Sequence, residues 1–214
     1  PSTILKLGIA VNNPIVKASG VSFWTIRNMQ LDGSRGSQTP GQQPKHGIEF
    51  DNCTNVLVEN LIIRDCGNFG FIARTTCSNI TVRNCTIYNC DANNIQFNAA
   101  GSIVEGNNCY NASDVGISTW GGKDVIIRNN IVHDITMDTS PYGSPAGNVG
   151  IQLEDPSNPS SRILVEGNVV YNCKWGIATT SGASGTHFFI NGNVIKDTTD
   201  RGIWAYKSTE VKIE

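Results

Sequence analysis

Short runs of β-branched and other apolar residues recur along the whole chain, and no stretch carries the i, i+3, i+4, i+7 apolar spacing of an amphipathic helix. Aligned on a small turn residue, seven copies of one pattern appear: Arg27-Asn28-Met29, Glu59-Asn60-Leu61, Arg83-Asn84-Cys85, Glu105-Gly106-Asn107, Arg128-Asn129-Asn130, Glu166-Gly167-Asn168 and Asn191-Gly192-Asn193. A strand such as Ile80-Thr81-Val82 or Val125-Ile126-Ile127 precedes the turn residue, and another such as Leu61-Ile62-Ile63 or Val169-Val170-Tyr171 follows it. A third strand opens with Gly47-Ile48, Gly70-Phe71, Asn94-Ile95, Gly116-Ile117, Gly150-Ile151, Gly176-Ile177 or Gly202-Ile203. Three strands and three turns in each period of roughly 22 to 25 residues predict an all-β solenoid, a single-stranded right-handed parallel β-helix of about seven coils. A Greek-key sandwich would not place the same residue type at the same offset in every copy.

The composition agrees with this. Ile and Val number 40 against 7 Leu, and Asn numbers 24, which favours strands and turns over helices. Asn107, Asn130, Asn168 and Asn193 fall in one column of the repeat, where side-chain amides are expected to hydrogen-bond from rung to rung. Cys66, Cys90 and Cys173 share a second column, and Cys53 and Cys77 a third. Rungs about 4.8 Å apart lie beyond the ~3.8 Å Cβ separation of a disulfide, so the seven cysteines read as buried thiols. No Cys/His spacing suggests zinc and no calcium-loop motif is present. The net charge of −2 predicts no nucleic-acid partner and no anionic-membrane partner. No apolar run is long enough to span a bilayer, and Pro1 begins without a basic-then-apolar leader. Residues 1–214 read as one β-helix domain, and the strand-like sequence at both ends reads as a fragment of a longer chain.

On these repeats the chain resembles the pectate-lyase-like superfamily of right-handed parallel β-helix proteins across nearly its whole length. That resemblance implies an extracellular or cell-surface setting and a polysaccharide partner, and it is the sole ground for calcium; the residues themselves predict no cofactor. The superfamily includes lyases, glycoside hydrolases and epimerases, as well as tailspikes and non-catalytic adhesins. Lys45-His46-Gly47 only echoes the polygalacturonase Gly-His-Gly, and Asp155-Pro156-Ser157 lacks the histidine of the epimerase motif. No subfamily follows, and the oligomeric state stays open.

Irregularities in the repeat point to a site. From turn residue to glycine-led strand the distance is nine or ten residues in five copies, but 19 from Asn28 to Gly47 and 21 from Asn129 to Gly150. Both insertions, Gly33 to His46 and Thr136 to Val149, leave the solenoid at the same turn four coils apart, about 19 Å at the strand spacing. They are expected to wall a cleft floored by the glycine-led sheet. Alternation from the inward residue after each glycine places Glu49 and Asp51, Ile72 and Arg74, Gln96 and Asn98, Ser118 and Trp120, Gln152 and Glu154, Ala178 and Thr180, and Trp204 and Tyr206 outward.

Aromatic platforms beside amides, carboxylates and a guanidinium suit a carbohydrate. Gln96, Asn98, Trp120, Glu154, Trp204 and Tyr206 are the candidate substrate-binding residues, and no metal ligands are proposed. The candidate catalytic residues are Glu49, Asp51, Arg74, His46 and Lys45. Glu49 and Asp51 fit the carboxyl spacing of an inverting hydrolase. Elimination from a uronate would instead use Lys45 or His46 as base and Arg74 as carboxylate clamp. Arg74 is alternatively just the ion-pair partner of Asp51 on the previous rung. His133 and His187 fit no cluster. The expected function is a polysaccharide-active lyase or glycoside hydrolase; the alternative is a non-catalytic carbohydrate-binding or structural β-helix of the tailspike or adhesin type.

Overall fold

In the computed structural model, residues 3–6, 13–34, 46–135, 147–154, 160–179, 186–206 and 208–214 are described, with Glu154 described by its backbone alone. The interiors of both long insertions, Lys45 and Thr180 lie outside them. Every described pairing joins parallel strands, and the described residues contain no helix.

The chain winds around three faces. The first sheet stacks Val16–Ser19, His46–Asp51, Phe69–Ala73, Ile95–Phe97, Val115–Trp120 and Val149–Glu154. It ends on the later halves of Val169–Thr179 and Val194–Ala205. The second sheet runs from Thr25–Arg27 through Thr54–Glu59, Ser78–Arg83, Ile103–Glu105, Lys123–Arg128, Ser161–Glu166 and Thr186–Asn191 to Thr209–Ile213. The third carries Thr3–Lys6, Met29–Asp32, Ile62–Arg64, Thr86–Cys90, Asn108–Ala112 and Ile131–Ile135, and is completed by the earlier halves of the same two long strands.

Inward columns of identical chemistry fill the solenoid. Ile48, Phe71, Ile95, Ile117, Ile151 and Ile177 stack in register and are all 0% exposed. Phe50, Phe71 and Phe97 meet ring to ring at 5.5 and 5.3 Å. Full burial of each such side chain stabilises the fold by about 1.5–3 kcal/mol. All seven cysteines are buried and unbonded. Burial pushes the Cys85 thiol up to about 11 and Cys173 up to about 12, so these thiols stay protonated and act as small apolar fillers.

The expected asparagine line is present. Asn107, Asn130 and Asn168 each donate Nδ2 to the Oδ1 of the next asparagine at 2.9–3.0 Å, ending on Asn193. Each of the same three Oδ1 acceptors, on Asn130, Asn168 and Asn193, also takes the backbone N–H of the preceding asparagine at 2.9–3.0 Å. The Nδ2 groups further donate to Val82, Val104, Ile127 and Val165 carbonyls. A turn buried without these amides would orphan both kinds of backbone group. The residue preceding each of the four asparagines is left-handed, at Gly106, Asn129, Gly167 and Gly192, a backbone conformation that Gly and Asn adopt most readily.

The outer faces carry ladders of their own. On the second sheet Arg83 Nη2 reaches Glu59 and Arg128 Nη2 reaches Glu105, both at 2.7 Å. On the third, Tyr88, Tyr110, His133 and Tyr171 stack at 4.8–5.0 Å with rings within 13° of parallel, and Lys196 covers Tyr171. His133 therefore does belong to a cluster, and its Nδ1 also meets Asp134 at 2.7 Å. The expectation that it fits none fails because the ladder joins residues 22 to 38 positions apart, spacings that only the coil register brings together.

Candidate functional site

The glycines that open the first-sheet strands fix which side chains face outward. A Cβ on Gly47 would sit 2.5 Å from Ile63 Cγ2, and one on Gly150 would sit 2.3 Å from Val170 Cγ1. The glycine and the following Ile are thus both directed inward. The residue before the glycine faces out, giving an additional outward column in which His46 pairs with Phe69, and Val115, Val149, Trp175 and Arg201 follow in register. Counting alternation only from the residue after glycine misses this column and, with it, Trp175. A bulky residue directly before each glycine is the signal that would have found it.

Three outward columns result. The one containing His46 and Phe69 is mostly closed over: His46 is 2% exposed and stacks on Phe69 at 5.0 Å. The middle column of Glu49, Ile72, Gln96, Ser118, Gln152 and Ala178 is buried as well. Gln96 and Glu49, expected on an open floor, face outward but are covered, at 2% and 9% exposure. The column of Asp51, Arg74, Asn98, Trp120 and Tyr206 is the open one, with Trp120 43% and Tyr206 44% exposed.

The structure brings His46, Glu49 and Arg74 together. Arg74 donates Nε and Nη2 to Glu49 Oε1 at 3.2 and 2.9 Å, and His46 Nε2 lies 3.8 Å from Glu49 Oε2. Arg74 does not pair with Asp51 as the expected ion pair had it. It leans across to Glu49, and Asp51 Oδ1 instead accepts a 2.6 Å hydrogen bond from Thr76. Thr76 also accepts from the Asn52 N–H at 2.9 Å. Nothing in the strand pattern marks Thr76, which sits in a turn. Glu49 and Asp51 are therefore held by different partners.

Beside this cluster Asn93 Nδ2 donates to Gln96 Oε1 at 3.0 Å, and Gln96 Nε2 donates to Asn98 Oδ1 at 3.3 Å. An amide chain thus runs from the closed column to the open one. Trp120 and Glu154 are register partners on adjacent strands. Further along, Trp204 packs on Trp175 at 4.4 Å and on Tyr206 at 5.6 Å, with Arg201 over its face. Trp175 Nε1 donates to Asp200 at 2.8 Å. Among the described residues no three His, Cys, Asp or Glu side chains come together as a metal set.

Asp114 enters the first-sheet strand Val115–Trp120, and burial pushes its carboxyl from the ordinary 3.8 up to about 6. A folded pKa above the unfolded one gives stability that is complete below pH about 3.8 and is lost as pH rises through about 6. Urea midpoints are expected to fall across that window in the native protein, and Asp114→Asn should flatten the fall.

Residues 15–144 match the family model described as right handed beta helix region. The chain belongs to this β-helix family. No curated protein matches it by sequence. In overall structure the β-helix is similar to the A-module of the mannuronan C-5 epimerase AlgE4 of Azotobacter vinelandii, with a TM-score of 0.79 at 18% identity over 99% of this chain and 57% of that one. It is equally similar to the Dettilon tailspike protein, with a TM-score of 0.79 at 18% identity over 92% of this chain and 40% of that one. An alginate lyase from Paenibacillus follows, with a TM-score of 0.67 at 15% identity over 96% and 79%. The β-helix spans about half the length of the first two. At these identities the likeness is one of fold.

Proposed function

We propose that this β-helix binds an acidic polysaccharide along the open column of its first sheet, with carboxylates on Arg74 and a sugar face on Trp120. The observation that carries this reading is the placement of Arg74, Asn98 and Trp120 on consecutive rungs with accessible side chains, Arg74 at 42% and Trp120 at 43%. Arg74 spends Nε and Nη2 on Glu49, and its Nη1 points no bond at any described residue. A guanidinium suits a carboxylate, an amide suits hydroxyls, and an indole suits the apolar face of a pyranose ring. The similar proteins named above include an epimerase and a lyase named for mannuronan and alginate, beside a tailspike protein, and the first two support a polysaccharide partner. An extracellular or cell-surface setting goes with that partner.

The contact of His46 with Glu49 favours a chemical step at the same place. A uronate carboxylate that draws Arg74 away leaves Glu49 Oε1 without its partner. Glu49 then takes the proton from the sugar's C5, and Arg74 stabilises the charge that spreads into the carboxylate. The C–H electron pair either expels the oxygen at C4, which leaves with the proton Glu49 has just taken, or is reprotonated from the other face by water while Glu49 returns its proton to solvent. His46 is too enclosed to reach a polymer, and its part is to hold Glu49.

Incubation with a panel of uronate-containing and neutral polysaccharides separates the outcomes. Unsaturated-uronate absorbance identifies elimination, and new reducing ends without it identify hydrolysis. Binding without product leaves a carbohydrate-binding module, and no binding to any acidic glycan overturns the proposal. Trp120→Ala should weaken binding by about 1–3 kcal/mol through loss of the aromatic face. Arg74→Ala should weaken acidic glycans more than neutral ones, and Lys212→Ala on the second sheet should change neither; calorimetric titration reads all three.

A further inference from the structure

The outer face of the second sheet has an order that its own chain does not use up. One outward column reads Arg27, Glu59, Arg83, Glu105, Arg128, Glu166 on six successive rungs, in strict register. Within the chain the charges pair as Arg83 with Glu59 and Arg128 with Glu105, each at 2.7 Å. The two ends are left over. Arg27, whose side chain is 63% exposed, only approaches Glu59 at 3.9 Å, and Glu166 makes no ion pair with any described residue. The neighbouring outward column reads Leu57, Thr81, Ile103, Ile126, Leu164, Phe189, also in register. Its members are only partly covered, and Phe189 is 46% exposed. An apolar stripe beside a charge ladder on a parallel sheet is, among the described residues, an unpartnered face.

We propose that this face joins two copies of the chain in an antiparallel dimer. The sign pattern selects both the partner and the symmetry. A two-fold axis lying in the interface along the strand direction reverses the rung order but keeps each column opposite itself. A six-rung ladder of alternating sign then meets its own reverse. Arg27 faces Glu166 of the second copy, Glu59 faces Arg128, and Arg83 faces Glu105. The unused ends of the ladder satisfy one another, twice per dimer. The same operation lays the apolar column on itself, with Leu57 against Ile126 and Thr81 against Ile103. A two-fold parallel to the solenoid axis would set like charges opposite each other instead, which costs affinity. The six overlapping strands at about 4.8 Å and six residues at about 3.3 Å give an overlap of roughly 24 by 20 Å, smaller than the ~800 Å² per partner of a standard interface, so the charge pairing has to carry the specificity of a small interface. The first sheet remains open in such a dimer, so the proposal stands apart from the glycan reading.

Sedimentation equilibrium of the intact chain tests it. The expected result is a dimer whose dissociation constant rises with salt. Glu166→Arg and Arg27→Glu should each weaken it at least tenfold, and the double variant carrying both should recover most of the loss. Thermal melts of the three variants exclude misfolding as the cause. Mixing a Thr81→Cys copy with an Ile103→Cys copy under mild oxidation should trap a disulfide-linked dimer, since the native thiols are buried. A chain that stays monomeric well above micromolar concentration overturns the proposal. So does a dimer that Glu166→Arg leaves intact or that the double variant does not restore.

Discussion

Replacing Asn130 with alanine is expected to lower the unfolding free energy by about 3–5 kcal/mol, a large effect for a single polar substitution. Asn130 is 0% exposed. Its Oδ1 takes the Asn107 N–H at 2.9 Å and the Asn107 amide at 3.0 Å, and its Nδ2 donates at 2.9 Å to both Val104 O and Asn168 Oδ1. Alanine leaves the Asn107 N–H and the Val104 carbonyl without these partners in a turn closed to water, and each orphaned group costs about 1–3 kcal/mol. Asn193, at the end of the line and half-buried, can exchange its partners for water, so Asn193→Ala should cost only about 1 kcal/mol. Urea titration of the two variants checks the contrast. Equal, small losses would show that the amide line adds little to the fold.

The second large effect is expected at Gly150. A Cβ there would lie 2.3 Å from Val170 Cγ1 and 2.7 Å from the Gly176 carbonyl oxygen of the next coil. The valine can turn, but the carbonyl belongs to the ladder, so one rung must move away from its neighbour. Gly150→Ala should therefore cost about 3 kcal/mol, at the upper end of overpacking. Gly202 occupies the equivalent position one coil beyond Gly176, where the nearest atom, Ile195 Cγ2, stands 3.9 Å away. Gly202→Ala should change stability by no more than about 0.5 kcal/mol. Similar losses at both positions would show that the close approach at Gly150 is not the cause.

Both effects come from repeated positions, and repetition is what made the fold legible. The turn residue, the amide column and the inward Ile column recur at constant offsets, so the coil could be drawn without coordinates. The candidate site was legible in part. Asp51, Arg74, Asn98 and Trp120 stand together on the open column because period-two alternation holds within a strand. It does not hold through the glycine, where two successive residues turn inward, and so Trp175 and the outward column it shares with Phe69 escaped notice. Nor does alternation report what lies over a sheet, which is why Glu49 and Gln96 face outward and yet are covered. Arg74 bonds Glu49 rather than Asp51 because a long side chain on one rung can reach back along the neighbouring strand, where Thr76 has already taken Asp51. These choices depend on three-dimensional competition among side chains, which no spacing encodes.

The most direct measurement is a crystal structure of the protein soaked with an oligouronate at a concentration that saturates binding in solution. The expected result is a chain of sugars running across the rungs of the first sheet, with a carboxylate on Arg74 and a ring face on Trp120. Sugar seated on the second or third sheet, or a first sheet left bare while binding is saturated, would contradict the glycan-binding role argued from Arg74, Asn98 and Trp120.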